Sequence, residues 1–538
     1  MSRSRSNSWA ALAALCLAFV MIMIDSTIVN VALPSISDHF GAAFDRVMWV
    51  LNAYILVFTV LLITMGRLGD IYGQRNLYFV GLVLFVVGSV LCGVARDINW
   101  LIGARVIEGI GGATLMPQTM AIITAVFAPE RRGAAFGVWG GVGAISVLLG
   151  VALGGVIVTG LGWQWAFYIN VPIGVLALLA AWLFVPDLRL SLQHKLDWVG
   201  VLLASLGFLG IVFGVTEGQR YGWGAISGWI TVPLVIIVGA VLLVVFMIWE
   251  RYQDEPLVPL QLFRNRNFSL MNAVMILASF DLVGMLLLLS LYFQSVLGMS
   301  AMEAGIAMAP VSFVPIVISP IAGVVADRIG GKYIVALGAL LFAVGMAMFG
   351  MAASPTATGA DFALPLLVTG LGQGCVFAPL AAVAMQRVSP AVFGSASGVL
   401  NLTRQIGALI GGAGIAAVLQ SQVVVNLRSQ SMTAATQLPQ DARQTFLDAI
   451  NSTIAAGVQL GTAQNVSIQL PSGLSPELSE RFSRVFQQVF AGAFTDALKV
   501  SLGVVVALLL IAAISCLPVE RLRKEEEVEL SMPVEEMG

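Results

Sequence analysis

Five acidic or basic residues lie well inside long apolar stretches of this 538-residue sequence, away from the ends, where a charge is costly and therefore marks a candidate site. They are Asp25, Arg105, Glu108, Asp281 and Arg404. A carboxyl group in apolar surroundings favours its protonated form, and an adjacent arginine favours the carboxylate. These residue types therefore indicate that the protein handles protons or cations.

Asp25, Arg105 and Glu108 are predicted to lie at one depth. Counted at about 1.5 Å per residue along a helix, all three sit roughly 10 to 15 Å below the same membrane boundary. We expect a charge cluster for proton coupling, in which a movement of Arg105 loads or unloads a proton. Two alternatives stay open. Asp25 could form a structural hydrogen bond with Thr27 or Asn30, and Arg105 with Glu108, three residues apart, could be a purely structural pair.

Asp281 and Arg404 are predicted to lie nearer to the middle of the membrane, about 18 and 15 Å from the opposite boundary. Asp281 could hold a cationic substrate or a second proton. Arg404 could neutralise Asp281 or position helices. Both are substrate-binding candidates, with a structural role as the alternative for each.

The sequence lacks the motifs of ATP hydrolysis, of common hydrolases and of metal sites. The sequence contains no GxxxxGK[ST] phosphate loop, which argues against ATP hydrolysis, and no HExxH or serine-elbow motif. Its two histidines, His39 and His194, lie outside the apolar stretches, and its four cysteines are far apart, so no metal and no cofactor are expected. We therefore expect a non-enzymatic protein driven by an ion gradient, which supplies about 2.3 kcal/mol per charge moved through 100 mV.

Fourteen apolar stretches are long enough to cross about 30 Å of hydrocarbon. With 59% hydrophobic and 10% charged residues, the chain is too apolar for a soluble protein. It is predicted to be an all-α polytopic protein of the lipid bilayer. The stretches cover 9–33, 46–65, 76–95, 98–125, 133–158, 164–186, 198–216, 229–249, 269–297, 303–326, 333–353, 360–387, 394–418 and 494–516.

Two loops between these stretches repeat one motif. GRLGDIYGQR at 66–75 recurs as GVVADRIGGK at 323–332, with glycine, aspartate, glycine and a basic residue at matching positions. A second match, of 129–138 with 390–399, has nearly the same offset. Internal repeats of this kind are typical of secondary transporters. The chain therefore consists of two repeats of six stretches, with two more between them.

The predicted organisation follows from this repeat. Residues 1–186 form an N-terminal six-helix bundle, 187–266 two additional transmembrane helices with cytoplasmic linkers, 267–516 a C-terminal six-helix bundle, and 517–538 a cytoplasmic acidic tail. Most of the 27 lysines and arginines lie on one side if both termini are cytoplasmic, which the distribution of basic residues favours.

Residues 419–493 are predicted to form a long external loop, because they are rich in Gln, Ser, Asn and Thr. Within it, Ser475 and Pro476 are typical of a helix start, and apolar residues follow at three- and four-residue spacing. This amphipathic helix could lie on the protein or membrane surface, or it could be an internal packing hairpin.

Several motifs resemble those of the major facilitator superfamily, in its fourteen-helix drug:proton antiporter branch. The similar segments cover nearly the whole chain and imply two six-helix bundles plus two central helices. They are DSTIVNVALP at 25–34, GRLGDIYGQR at 66–75, RVIEGIGGA at 105–113, WQWAFYINVPIG at 163–174 and LYFQSVLGMSAMEAG at 291–305.

The resemblance implies roles for particular residues. Asp70 with Arg75 would gate the cytoplasmic side, Asp25 and Arg105 would take part in proton coupling, and the substrates would be lipophilic, often cationic, drugs. The cytoplasmic gate motif comprises Gly66, Asp70, Gly73, Arg75, Asp327 and Arg328.

Two further groups are assigned to packing and to the membrane interface. Gly150, Gly154 and Gly155 are predicted to let helices approach closely. Trp163 and Asn170 belong to a segment that is interpreted as an interfacial entry to the sixth helix.

The sequence departs from the family pattern at four positions. Gln74 replaces a usual basic residue, which would loosen the gate, and Glu108 replaces a usual glutamine, which adds a titratable group. Ser146 and Val151 replace the first glycine and the proline of the antiporter motif GxxxGPxxGG. Loss of that proline leaves symport or facilitated movement open.

The predicted function is proton-coupled antiport that exports lipophilic, mostly cationic, drugs across the cytoplasmic membrane by alternating access. The expected partners are protons, a small amphipathic substrate and the lipid bilayer, with no nucleic acid, and the expected state is a monomer. One alternative is a dedicated exporter of a single metabolite, such as an antibiotic, siderophore or lipid. Another is a membrane receptor or enzyme built on a transporter scaffold.

Overall fold

The computed structural model describes residues 8–42, 44–187, 196–218, 220–436, 438, 440–455 and 476–520, and most of them are helical. Fourteen helices in these ranges are long and apolar enough to cross a membrane, which confirms the predicted spans. His194, Ser475 and the predicted tail beyond residue 520 lie outside the described residues, as does the side chain of Val151.

Six membrane spans form the N-terminal half, with α6 and α7 together making the sixth. Its helices are α1 (Ser8–Phe40), α2 (Phe44–Tyr72), α3 (Gln74–Gly93), α4 (Ile98–Val126), α5 (Arg132–Leu161), α6 (Trp165–Tyr168) and α7 (Asn170–Phe184), with a 3₁₀ turn at Pro129–Arg131.

Two spans lie between the halves and pack against each other. They are α8 (Trp198–Glu217) and α9 (Val232–Glu250), joined by the short antiparallel strands β1 (Ala225–Ser227) and β2 (Ile230–Thr231). The pair is attached to the N-terminal half where the Asn52 amide on α2 donates a hydrogen bond of 2.7 Å to Glu217 at the end of α8.

Six further spans form the C-terminal half, with α11 and α12 sharing one of them. Its helices are α10 (Arg266–Ser295), α11 (Ala301–Ala307), α12 (Ala309–Ile329), α13 (Gly331–Ala352), α14 (Ala363–Ala384), α15 (Phe393–Ala435), α16 (Gln440–Ala455) and α17 (Pro476–Ser515), with 3₁₀ turns at Leu260–Arg264, Gly359–Phe362 and Pro390–Val392.

The two halves repeat each other's packing. Gly111 on α4 packs against Phe85 on α3, and Gly372 on α14 packs in the same way against Phe342 on α13. Glycine is needed at these contacts because the neighbouring backbone lies where a side chain would be. The offsets, 257 residues for α3 with α13 and 261 for α4 with α14, equal those of the sequence repeat.

The two repeated loops also share a backbone turn. Gly73 precedes α3 with a φ of 91°, and Gly330 precedes α13 with a φ of 101°. Residues with a side chain rarely adopt such angles, so the turn itself requires glycine at the eighth position of each motif, which is Gly73 or Gly330. Both loops lie at the same end of the bundle, which we call the closed end.

The prediction of a loop at 419–493 is wrong for the described part of that segment. Residues 419–435 continue α15, which has 43 residues. The helix start predicted around Pro476 is confirmed, because α17, which has 40 residues, begins there. At about 1.5 Å per residue, helices of this length extend roughly 30 Å beyond the hydrocarbon layer. The polar composition misled the prediction because it averages the buried and the exposed faces of these helices.

The predicted amphipathic helix is the first part of α17, and its apolar face is buried. Phe482, Phe486 and Phe490 belong to one apolar core with Leu427 of α15 and Phe446 of α16. The rings of Phe446 and Phe482 are 5.3 Å apart. The packing of the described residues therefore favours the packing-hairpin alternative over a helix whose apolar face lies on the membrane.

Candidate functional site

Four helices of the N-terminal half bring five polar side chains together in the bundle interior. Asp25 comes from α1, Ser89 from α3, Arg105 and Glu108 from α4, and Asn170 from the start of α7. All five have an exposed fraction of 0%. We call these residues the Asp25 cluster.

Arg105 is the centre of the cluster. Its Nη1 atom lies 2.7 Å from Asp25 Oδ2 and 2.8 Å from Glu108 Oε2, so one nitrogen bridges two carboxyl groups. Its Nε atom donates to the carbonyl of Val50 on α2. The predicted contact among the three charged residues is therefore confirmed, whereas the estimate of equal depth had only permitted it.

Aromatic rings cover the guanidinium group. Arg105 Cζ lies 4.2 Å from the centre of the Tyr54 ring and 5.8 Å from that of Phe167. Rings in this position attract a cation and exclude water from it. The cluster is therefore held in a site where electrostatic interactions are strong.

The charges of the cluster do not balance when both acids are ionised. Asp25, Glu108 and Arg105 would then carry one net negative charge in the membrane interior, and a single proton would make the group neutral. Glu108 Oε1 also accepts a hydrogen bond from the Ser89 hydroxyl. Because one proton changes its net charge from minus one to zero, a group of this composition can bind and release a proton.

The alternative partners proposed for Asp25 are wrong. Thr27 donates to the carbonyl oxygens of Met23 and Ile24, and Asn30 donates to that of Ser26. Asp25 Oδ1 instead accepts a hydrogen bond of 3.0 Å from the Asn170 side chain.

Asn170 was misinterpreted as an interfacial residue. Its side-chain nitrogen also lies 3.2 Å from Ser89 Oγ and 3.5 Å from Glu108 Oε1, so it contacts both acids of the cluster. One signal could have identified it: an amide side chain at the start of an apolar helix needs buried hydrogen-bond partners. Ser89, a small hydroxyl in an apolar stretch, carries no such signal.

Asp281 lies in the interior of the C-terminal half, on α10. Its exposed fraction is 0%, and neither carboxyl oxygen has a hydrogen-bond partner among the described residues. It contrasts with Asp25, whose two oxygens are both bonded.

Arg404 does not neutralise Asp281, contrary to one of the predicted roles. The Thr403 hydroxyl on α15 donates to Asn272 on α10, and Gly411 packs against Phe280, so the two helices run parallel in a fixed register. Arg404 is therefore level with residue 273, eight residues or about 12 Å along the axis from Asp281. Their roles as substrate-binding candidates stay predictions.

A second constellation joins the two halves at the closed end. Asp70, near the end of α2, accepts hydrogen bonds from the backbone of Gly394 at 2.6 Å and of Ser395 at 2.7 Å, in the first turn of α15. Asp327, near the end of α12, accepts bonds of 2.8 Å from the backbone of Gly133 and of Ala134, in the first turn of α5. Each aspartate thus binds the helix N-terminus of the other half, where the helix dipole favours a negative charge.

Glycines permit this crosswise contact. The backbone of Gly66 lies against that of Gly394, and Gly323 lies against Gly133. The first glycine of each loop motif, Gly66 or Gly323, therefore contacts a glycine of the second pair of matching segments, 390–399 or 129–138. The sequence contained both signals but not their pairing across the halves.

Arg75, which was expected to gate the cytoplasmic side together with Asp70, makes its contacts elsewhere, and its gating role stays a prediction. Arg75 donates to the carbonyl of Trp182 on α7 and lies 5.5 Å from the Phe79 ring, within its own half. Arg328 is exposed at the closed end. Gln74, at the start of α3, is buried.

Two of the three predicted packing glycines are confirmed. Gly150 packs against the carbonyl of Ile24, and Gly154 packs against Ile28 and Val31, both on α1. Gly155 is exposed with no atom near the place where a side chain would start, so its assignment to packing is wrong. It lies one residue beyond the helix face that meets α1.

All described hydrogen bonds between the two halves lie toward the closed end. The deepest joins the Asn401 amide to the sulfur of Met120, about 12 Å from the start of α15 at 1.5 Å per residue. The Arg132 side chain donates to the carbonyl of Met385 nearer to that end. Between the described residues of the two halves, the opposite end has no such bond.

Known proteins are similar to this chain in amino-acid sequence. The chain matches the family model of the Major Facilitator Superfamily over residues 15–412. It is 36% identical over 459 residues to an uncharacterized MFS-type transporter of Mycobacterium tuberculosis, a match that covers 83% of this chain and 78% of that protein. It is 32% identical over 399 residues to the multidrug export protein EmrB of Haemophilus influenzae, with coverage of 74% and 78%.

A solved structure shares the fold. The human organic anion transporter MFSD10 superposes with a TM-score of 0.56 over 78% of this chain and 94% of that chain. The sequence identity is 16%, so the likeness shows the fold alone.

Proposed function

Because the chain belongs to the Major Facilitator Superfamily, in its fourteen-helix drug:proton antiporter branch, we propose that it exports lipophilic cations from the cell in exchange for protons. The observation that carries this proposal is the Asp25 cluster, in which one arginine bridges two acids inside the membrane. Similarity to a multidrug export protein supports export as the direction of transport.

The cluster supplies a means of coupling. One proton converts its net charge from minus one to zero, and a shift of Arg105 away from either acid makes that acid bind a proton more readily. Arg105 is attached to the α2 backbone through Val50 and to α1 through Asp25. A rearrangement of α1, α2 and α4 against each other therefore changes how strongly the cluster holds its proton.

The gate contacts support alternating access. The two halves are joined at the closed end by Asp70 and Asp327, so a substrate path in this state leads to the opposite end. If the closed end faces the cytoplasm, as the basic residues predict, the state is the one that releases substrate outside. Breaking both aspartate contacts would open the path to the cytoplasm.

The proposal is tested with purified protein in proteoliposomes that carry a pH gradient. We expect tetraphenylphosphonium to dissipate the pH gradient in proteoliposomes that contain the wild type. Uncharged triphenylphosphine oxide is expected to dissipate the pH gradient to a smaller extent. Asp25→Asn is expected to abolish the response while the cation still binds. The matched control is Asp38→Asn, because Asp38 lies on the same helix but is exposed.

Loss of the response in both variants would contradict a specific role of Asp25. A wild type that moves the cation without moving protons would contradict antiport and favour facilitated movement. A response to one metabolite class and to no lipophilic cation would favour the dedicated exporter.

A further inference from the structure

Asp281 occupies in the C-terminal half the position that Asp25 occupies in the N-terminal half. Asp281 follows Asp25 by 256 residues, and both lie on the buried stripe of the first helix of their half. On α1 the stripe contains Ala11, Leu15, Ala18, Ile22, Asp25, Val29, Ala32 and Ile36, and on α10 it contains Asn267, Met271, Val274, Ala278, Asp281, Met285, Leu288 and Tyr292. Each residue of the second list follows its counterpart by the same 256 positions.

The contacts of the neighbouring helix confirm this equivalence. Gly150 on α5 packs against the backbone of Ile24, one residue before Asp25. Gly411 on α15 packs against the backbone of Phe280, one residue before Asp281. The two aspartates are therefore related by the internal repeat in space as well as in sequence.

The residues around the two aspartates differ. Gly88 packs against Glu108, and its counterpart Gly345 packs against Thr369, which identifies Thr369 as the equivalent of Glu108. The same offset of 261 places Leu366 at the position of Arg105. Leu366 cannot pair with a carboxylate, and the Thr369 hydroxyl donates to the carbonyl of Pro365.

Among the described side chains of the helices packed against α10, no charged residue compensates Asp281. Arg404 on α15 is about 12 Å away along the axis. Lys499 on α17 and Glu303 on α11 are exposed. The α14 segment 363–384 has no charged residue, and its titratable group is Cys375, which is half-buried. An unpaired carboxylate in this position would cost far more than a neutral carboxyl group.

We propose that Asp281 is a second proton-binding site, which holds its proton in this state and releases it when the closed end opens. This inference rests on the proposed antiport and adds a proton count to it: one proton in each half. On release, the carboxyl group gives its proton to water and remains as a carboxylate, which is solvated by water or neutralised by the cationic substrate. Exchange of two protons for one monovalent cation moves one net charge per cycle.

The first test measures the proton on Asp281 directly. The infrared C=O stretch of protonated carboxyl groups is recorded for the protein in lipid at neutral pH. We expect Asp281→Asn and Asp281→Leu to lose one component of this band. Asp496→Asn, which removes an exposed carboxyl group from α17, is the matched control and is expected to keep it. An unchanged band in both Asp281 variants would overturn the proposal.

The second test measures the charge that accompanies transport. In proteoliposomes without a pH gradient, a membrane potential alone is expected to drive tetraphenylphosphonium exchange by the wild type. In Asp281→Asn the proton-to-cation ratio is expected to fall from two to one, so the potential no longer drives exchange while a pH gradient still does. An unchanged ratio would overturn the second proton.

The two tests separate this inference from the proposed function. If the wild type exchanges no protons for the cation, antiport fails, and the infrared comparison still decides whether Asp281 carries a proton. If exchange occurs and the band is unchanged in the Asp281 variants, antiport stands and the second site fails.

Discussion

In the N-terminal half, Asp25 lies in a network with Arg105, Glu108 and Asn170, and both of its oxygens are bonded. In the C-terminal half, Asp281 lies at the equivalent position, equally buried, with neither oxygen bonded among the described residues. Leu366 stands where the first half has its arginine. One fold therefore contains a paired and an unpaired acid at related sites.

The two sites show two ways in which a membrane protein can accommodate a buried acid. A cation with several hydrogen bonds stabilises the charged form, whereas a proton removes the charge altogether. The paired site can change its proton affinity through small movements of Arg105. The unpaired site can lose its proton only when it gains water or a cation, so its proton release depends on a larger opening.

The largest effect is expected when the first site is made like the second. Arg105→Leu removes the cation and leaves Asp25 and Glu108 unpaired. Loss of one partner of a buried pair costs about 3 to 5 kcal/mol, reduced by whatever proton binding follows. We expect proton-coupled transport to fall at least about a hundredfold, measured as gradient-driven cation uptake.

Arg404→Leu is the control for the Arg105 variant, because Arg404 is also within a span but has no ion pair among the described residues. Its transport is expected to exceed that of Arg105→Leu by tenfold or more. Equal loss in both variants would contradict a specific role of the Arg105 ion pairs.

The reverse change makes the second site like the first. Leu366→Arg places a cation where it can pair with Asp281, and such a pair favours the carboxylate. We expect the infrared band of the protonated carboxyl to lose the component assigned to Asp281, and transport to slow by about tenfold. Leu366→Met, which keeps the apolar volume, is expected to preserve both.

A third prediction concerns the end where the two halves are alike. Asp70→Asn and Asp327→Asn each weaken charge-assisted hydrogen bonds to a helix N-terminus, at about 1.5 kcal/mol or more. Each substitution should therefore shift the population away from the closed state by about tenfold, and by similar amounts. Distances between spin labels on α2 and α15, and on α5 and α12, measure the shift.

A strong effect of one gate variant with none of the other would contradict the crosswise arrangement. It would mean that the two aspartate contacts at the closed end differ in strength, as the surroundings of Asp25 and Asp281 differ in the membrane interior.

The smallest effect is expected at a glycine that the sequence wrongly groups with its neighbours. Gly155→Ala should leave transport and thermal stability nearly unchanged, because its position is open. Gly150→Ala and its counterpart Gly411→Ala should both lower stability, because each contacts the backbone of the first helix of its half. Thermal unfolding in detergent compares the three variants.

Much of the fold follows from the sequence. Apolar stretches determine the fourteen spans because a backbone in lipid must form its own hydrogen bonds. The repeated motif predicted two related halves, and the motifs of the first and fourth helices predicted the family correctly. Counting residues along two helices placed Asp25, Arg105 and Glu108 at one depth, because helix rise is constant, but it did not show which helix faces meet.

Other features needed neighbours that no local pattern names. Asn170 joins the cluster only because α7 packs beside α1 and α3. Asp70 and Asp327 bind across the halves, and their partners lie more than 190 positions away along the chain. The segment 419–493 was misread because its composition averages a buried and an exposed face.

The amino-acid pattern is enough to show how many times the chain crosses the membrane, that the chain is repeated, and which few ionisable groups the membrane must accommodate. These depend on the transfer of side chains and peptide groups into lipid, which is a local property. The packing of the helices determines that Asp25 has hydrogen-bond partners and that Asp281 has none among the described residues. It also determines which helix N-terminus each gate aspartate binds. Those outcomes depend on distances between helices, and electrostatic energies in the membrane interior change steeply with distance and with the exclusion of water.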